Sequence, residues 1–338
     1  MEAYAGIDLH STNSYIGIID EKDQRHFAKR LPNSISQILV ALEPFKEDLK
    51  GVVVESTYNW YWLVDGLQQE GYKVHLANPS AIKQYEGLKH TDDKWDSFWL
   101  AHMKRLNILP EGYIYPKEER PVRDLLRRRL LFVRQRTSQI LSLQSTITRN
   151  LSFKMSCNAI KKLQEEDVED SFESPYLVLT AKSNISVIQF LAKKINRIEN
   201  AVKSEVKLRK EFQLLKTIPG IGDILAMTIM LEVGDISRFA QVGNYSSYCR
   251  CVGSKRISNG KKKGENNRKN GNRYLSWAYV EAANFAIRFS QEAQRFYQRK
   301  TAMTNSIVAI KALSNKLAKA SYYVMRDQVA YDANKLFG

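Results

Sequence analysis

A chain of 338 residues can hold two or three domains, each with its own core. Lys and Arg number 52 against 36 Asp and Glu, a formal charge of +16 that attracts polyanions, and with no amphipathic basic tail at either end nucleic acid is expected ahead of a membrane surface. Cys157, Cys249 and Cys251 form neither a CxxC pair nor a metal array with the five histidines, no apolar run nears the ~18 residues of a membrane span, and Met1-Glu2-Ala3 opens no leader, so a soluble cytoplasmic protein without structural zinc is expected.

In chain order, "YAGIDLH" (4–10) and "SYIGIID" (14–20) are β-rich runs separated by Ser11-Thr12-Asn13, which reads as a hairpin, and "RHFAKR" (25–30) supplies a third strand. An amphipathic helix over about 34–48 leads into "GVVVE" (51–55), an apolar run of buried-strand type. A helix over 58–70, a strand "YKVHLA" (72–77) and helical sequence from Pro79 complete a mixed α/β region. From about 120 the pattern changes to heptads, with Leu126, Leu130, Val133, Ile140 and Ile147 on one seam, and again over 186–214 through Leu191, Ile195, Ile198, Val202 and Val206. Two long helices pairing as an antiparallel arm are expected, joined by an irregular stretch whose acids (Glu165, Glu166, Asp167, Glu169, Asp170, Glu173) form a solvated surface. The final third is helical, with one conspicuous loop at 251–273.

Asp8 lies near the end of the first strand and Glu55 ends the "GVVVE" run, so both emerge at strand termini, where ligands bind in open α/β sheets. In "HTDDKWD" (90–96), Asp93 and Asp96 are three apart and share a face of the helix that runs on through "SFWLAHMKRL". Any one of these acids alone is more readily a turn former or a helix cap than a ligand. Asp8 and Glu55, however, sit in apolar strands, where an unpaired carboxylate is costly. Four converging carboxylates repel one another unless a cation lies among them, and oxygen ligands suit Mg²⁺ or Mn²⁺, ions that can assist phosphodiester cleavage.

Further along, "LLKTIPGIGDILAMTIMLEVGDISRF" (214–239) reads as helix, Gly-rich hairpin, helix; the turn around Gly220 and Gly222 can offer backbone N–H groups to phosphate, or it can simply join two helices. Between Ser254 and Arg273 stand Lys255, Arg256, Lys261, Lys262, Lys263, Arg268, Lys269 and Arg273 against one acid, Glu265, a composition suited to following a nucleic-acid backbone. Arg127 and Arg128, in an Arg-rich stretch with Arg123, Arg134 and Arg136, offer either a solvated helical face or a nucleic-acid track. Trp95 and Trp99 can stack on splayed bases, though their spacing favours core packing.

The order Asp8 in "GIDLH", Glu55 in "VVVES", and Asp93 with Asp96 in "HTDDKWDSFWLAHMKRLNILP" resembles the DEDD transposases of the insertion-sequence family one-ten, in its pilin-gene-inverting branch. The family's two aspartates three apart select Asp93 over Asp92; Ser97 replaces the Ala usual after the last Asp. The resemblance implies α/β plus all-α architecture: a RuvC-like (ribonuclease-H-like) catalytic domain over 1–115, a helical coiled-coil arm over 116–212, and a helical transposase domain with a helix-hairpin-helix over 213–338. It implies that the four acids bind Mg²⁺ or Mn²⁺, and that the serine of "ISNGKKKG", Ser258, is a nucleophile forming a covalent DNA link, with Ser254 the less favoured candidate. "GNRYL" (271–275) and the "EAA" helix belong to the same pattern. Further implications are donor and target DNA as partners, a structured guide (bridge) RNA, a dimer or tetramer, and a bacterial, nucleoid-associated cytoplasmic setting. Two other readings stay open: a RuvC-like junction endonuclease that uses water and has no need of Ser258, and a nucleic-acid-binding protein without catalysis.

Overall fold

Alternation of apolar residues in the first twenty positions builds a hairpin from β1 (Ala3–Leu9) and β2 (Asn13–Asp20), which β3 (Arg25–Pro32) extends. The computed structural model describes residues 1–82, 92–254, 256–265 and 270–337. α1 (Ile35–Leu42) leads to β4 (Leu49–Glu55), which lies parallel to β1; α2 (Tyr61–Gln69) leads to β5 (Val74–Ala77), parallel to β4. The two-residue β6 (Glu111–Gly112), which sequence patterning does not reveal, closes a six-stranded sheet of order β3-β2-β1-β4-β5-β6. The helix expected from Pro79 begins instead as a single 3₁₀ turn, Pro79–Ala81.

The sheet divides its side chains by parity. Ala5, Ile7 and Leu9 of β1, with Val52 and Val54 of β4, join one core cluster with Leu63, Val64 and Leu67 of α2 and Ile38 and Leu42 of α1. Asp8 and Glu55 fall on the opposite face, which is covered by α3 (Asp93–Arg105). That helix lies unusually close to the strands, because Gly6 and Gly17 pair across the hairpin and leave a patch without side chains. A Cβ on Gly6 would fall 1.9 Å from the Ser97 carbonyl oxygen, and one on Gly17 would fall 2.7 Å from Ser97 Oγ. Ser97 is fully buried, and its hydroxyl donates to the Lys94 carbonyl, so the position accepts a serine but little larger.

The chain divides into two compact units: Met1–Lys117 with Ser254–Asn270, and Glu118–Gly253 with Gly271–Gly338. In the second unit, α4 (Arg120–Leu151) packs along α6 (Pro175–Val206), which starts eleven residues before the heptad pattern becomes visible at 186. Toward their tip, Ile140, Leu143 and Ile147 meet Ala181, Ile185 and Ile188 in a cluster closed by Ile160 of α5 (Cys157–Ile160) and by Val168 and Phe172 of the connecting stretch. Toward their base, Leu126, Ile198, Val202 and Val206 join a different core, shared with α7 (Lys210–Leu215), α8 (Asp223–Val233), α10 (Arg273–Phe289) and α12 (Ser306–Asp327). α9 (Val242–Tyr248), α11 (Gln291–Met303) and α13 (Ala333–Phe337) complete the helical unit.

One buried acid ties this unit together. Glu232 of α8, 3 % exposed, receives both Nε (2.6 Å) and Nη2 (2.7 Å) of Arg127 and the side-chain amide of Asn272 (2.7 Å). Asn272 also caps α10, its Oδ1 accepting from the Tyr274 and Leu275 amides, and Gly271 (φ +88°) turns so closely past the Tyr248 carbonyl that a Cβ would lie 2.5 Å from it. "GN" in "GNRYL" is thus a helix start clamped to α8. Arg127→Met should strand Glu232 in the interior and destabilise the protein by about 3–5 kcal/mol, read from urea unfolding of the full chain. An unchanged unfolding midpoint would show the pair to be dispensable.

Candidate active site

α3 delivers Asp93 and Asp96 in its first turn to the carboxyl ends of β1 and β4, where Asp8 and Glu55 stand on neighbouring parallel strands. Asp92 serves the helix instead, capping α3 with its Oδ1, which accepts the Trp95 amide at 2.6 Å. The pair Asp92-Asp93 therefore contains both a helix cap and a candidate ligand.

The four acids are close enough to disturb one another. Asp8 is 4 % exposed; burial raises its pKa and Asp93 adds to the rise, against the pull of His10. Glu55 is pushed up to about 7 by burial, then by Asp8 and Asp96, and it shares a hydrogen bond with Asp8. Asp96 is pushed up to about 6 by burial, then by Asp8 and Asp93. Three carboxyls raised together mean that the fold holds negative charge against its own preference, as sites for cations do.

Two residues that the sequence motifs do not single out complete the cluster. His10, one residue past β1, places Nε2 3.1 Å from Asp8 Oδ2 and 3.2 Å from Asp93 Oδ1. Arg30 of β3 makes an ion pair with Asp93 Oδ2. The signal for His10 was its place two positions after Asp8 in an extended run, hence on the same face; for Arg30, 63 residues from its partner, local sequence carries none. One oxygen each of Asp8 and Asp93 and one His10 nitrogen lie within 4.8 Å of one another. Asp96 Oδ1 is buried without a hydrogen-bond partner. Raised carboxyls around a buried, unpartnered Asp96 oxygen fit a divalent cation, and among the described residues Asp8, His10 and Asp93 are the group whose ligand atoms lie close enough to share one; Glu55 and Asp96 stand beside that group and outside it.

Ser258 occupies a different element. The stretch expected as a loop contains a two-stranded hairpin, β7 (Arg256–Ser258) and β8 (Lys261–Gly264), with Ser258 opposite Lys261 at its tip. Asn259 (φ +50°) and Gly260 (φ +71°) make the turn, and that Asn-Gly pair was the sequence signal for a hairpin. Ser258, Lys261 and Lys263 are exposed, and the segment falls in the same compact unit as the four acids. Lys255, Arg268 and Lys269 lie outside the described residues, and for Arg256 and Lys262 only the backbone is described.

The remaining candidates divide. Arg273 is exposed at the start of α10, and Arg128 is exposed on α4, whereas Arg127 is engaged by Glu232 and lies over the Tyr274 ring, so it serves the fold. Gly220 (φ +85°) packs against α10, where a Cβ would lie 2.2 Å from the Ala282 carbonyl oxygen; close helix contact explains this glycine without any ligand. Gly222 precedes α8 in open space, but Asp223 beside it, held by Lys203 and Lys216, puts an acid at that helix start. Trp95 and Trp99 stack at 5.2 Å along α3 and are half-buried.

Comparison with known proteins agrees with this geometry. A DEDD transposase family of IS110 type matches residues 5–150, the region of all four acids, and the transposase family IS116/IS110/IS902 matches residues 212–298. The chain is similar to the transposase for insertion sequence element IS1328 of Yersinia enterocolitica, 23% identical over 334 residues that cover 94% of this chain and 95% of that one. The first match takes in the α/β sheet with its acid cluster and the second lies in the helical region, and the chain belongs to the IS110-type DEDD transposases, enzymes that act on DNA.

Proposed function

We propose that this transposase cuts and rejoins DNA through a composite site in which Asp8, Glu55, Asp93 and Asp96 hold Mg²⁺ or Mn²⁺ and Ser258 is the nucleophile. The observation that carries the reading is the convergence of four acids, three with raised pKa, at the ends of two parallel strands. A divalent ion there would stabilise charge on the phosphate as one P–O bond forms and another breaks. Ser258 Oγ attacks the phosphodiester and loses its proton, the P–O bond to a DNA oxygen breaks and that oxygen takes up a proton, and the protein is joined to the strand through a serine–phosphate bond until the hydroxyl of a second DNA end displaces it and the serine is reprotonated. Exposure of Ser258 at a hairpin tip, and the grouping of that hairpin with the acid-bearing unit, support this role. Lys261, Lys263, Arg273 and Arg128, with Lys255, Arg256, Lys262, Arg268 and Lys269, would hold nucleic-acid backbone, and the turn at Gly220 and Gly222 would serve chiefly to seat α8 on α10.

The finer architecture belongs to the same proposal. Residues 1–115 act as a RuvC-like domain, 116–212 as a coiled-coil arm supporting a dimer or tetramer, and 213–338 as a transposase domain with a helix-hairpin-helix. The pairing of α4 with α6 and the α7–turn–α8 order support it. Target choice is assigned to a structured bridge RNA made by the element, acting in the bacterial cytoplasm; the charge of +16 supports nucleic-acid binding. Among the described residues no helix is long and apolar enough to cross a membrane.

The test is to purify the full-length protein from cells that also transcribe the DNA flanking its gene, sequence any co-purifying RNA, and add donor and target DNA with Mg²⁺. The expected result is a discrete RNA, recombined product, and a denaturation-resistant protein–DNA adduct that disappears in Ser258→Ala. Cleavage without RNA and indifferent to Ser258 would make the protein a junction-type nuclease that uses water.

A further inference from the structure

His10 is held more firmly than its place at a strand end requires. Its N–H donates to the Asn13 carbonyl at 2.9 Å, and its carbonyl accepts from two side-chain amides, Asn33 Nδ2 and Asn59 Nδ2, both at 3.0 Å. Those amides are themselves fixed: Ser14 Oγ donates to Asn33 Oδ1 at 2.7 Å, and Thr57 Oγ1 to Asn59 Oδ1 at 2.8 Å. Segments around β2, β3 and β4 thus converge on one backbone unit, the arrangement that orients a functional side chain within narrow limits. What they orient is a ring nitrogen set between two carboxylates, 3.1 Å from Asp8 Oδ2 and 3.2 Å from Asp93 Oδ1.

We propose that His10 Nε2 is itself a ligand of the divalent ion held by Asp8 and Asp93, so that this transposase carries a mixed nitrogen–oxygen site biased toward Mn²⁺ over Mg²⁺. The inference rests on the carboxylate-site reading and adds to it the identity of a ligand and of the preferred ion. Its chemistry is that Mg²⁺ is a hard cation that favours oxygen, whereas imidazole raises affinity along the first-row divalent series beginning at Mn²⁺. Coordination through Nε2 requires the ring proton on Nδ1.

The experiment is pulsed electron paramagnetic resonance of the chelator-stripped, full-length protein with one equivalent of Mn²⁺, together with Mn²⁺ binding isotherms and Mg²⁺ competition. Modulation from a directly bound imidazole nitrogen is expected, and it should change when histidine is ¹⁵N-labelled. His10→Gln should abolish it and weaken Mn²⁺ by about ten-fold or more, a scale that even outer partners of a ligand reach; Mg²⁺ affinity should move far less. Mn²⁺ bound without nitrogen modulation, and lost in Asp8→Asn, would overturn the assignment of His10 and leave the carboxylate site intact. Failure of the wild-type protein to bind Mn²⁺, or binding that survives Asp8→Asn, would overturn the carboxylate reading and this one with it. Because the wild-type spectrum decides whether nitrogen is bound, a His10→Gln chain that does not fold leaves the test decisive.

Discussion

Glu55→Gln should make the metal-free protein more stable than the unsubstituted chain above pH 7 while lowering DNA strand transfer by roughly a thousand-fold, the worth of several kcal/mol at the transition state. The two effects share one cause. Glu55 is pushed up to about 7 in the fold by burial and by Asp8 and Asp96, so its protonated form is the one the native state favours. The stabilisation that comes from binding this proton is complete below the unfolded value of 4.5 and is lost as pH rises through about 7. At about 1.4 kcal/mol per pKa unit the loss is on the order of 3 kcal/mol, shared with the coupled Asp8. Asp96, pushed up to about 6, acts in the same direction. Urea unfolding of chelated protein between pH 4 and pH 9 should show stability falling across that window, and Glu55→Gln should flatten the fall. A saturating divalent ion should reverse it, adding about 2.7 kcal/mol at a hundred times its dissociation constant. Metal-free stability that rises from pH 5 to 8 would contradict the strained-carboxyl account.

Gly6→Ala should cost at least about 3 kcal/mol, and the acid cluster should be lost with it. Overpacking of a core ordinarily costs about 1–3 kcal/mol because side chains can rotate aside. Here the added methyl would meet the Ser97 carbonyl oxygen at 1.9 Å and the Ala101 nitrogen at 2.9 Å, both backbone atoms of α3. Relief requires lifting the helix from the sheet, and that helix carries Asp93 and Asp96. Gly17→Ala meets side-chain atoms, Ser97 Oγ at 2.7 Å and Phe98 Cδ1 at 2.9 Å, and should be milder. Thermal unfolding of both variants checks the ranking; equal midpoints would mean that α3 adjusts more freely than its contacts indicate.

Much of the N-terminal sheet was legible because its strands carry their own pattern. "GVVVE" is apolar at every internal position and is buried on both faces, and Asp8 stands out because it interrupts such a run. What was not legible depended on partners distant in sequence. Arg127 reads as one of several arginines on a basic helix; only the arrival of Glu232, 105 residues later, makes it an internal ion pair. Arg30 meets Asp93 for the same kind of reason. The hairpin at Ser258 is a different case: Asn-Gly was present, but the density of Lys and Gly around it reads as a loop. Gly220 shows the converse, since a glycine beside a helix start suggests a phosphate contact and is here required by the approach of α10.

The two hydrophobic clusters strung along α4 and α6 give one pair of helices two different fates. To part the helices at their base, Leu126 and Val202 must leave the core they share with α8, α10 and α12, which amounts to unfolding the whole unit. At the tip only the small cluster plugged by Ile160, Val168 and Phe172 has to open. Such a segment can breathe at a free energy well below that of global unfolding, with its own cooperative cycle. The outer halves of these two helices can therefore open while the helical core stays shut.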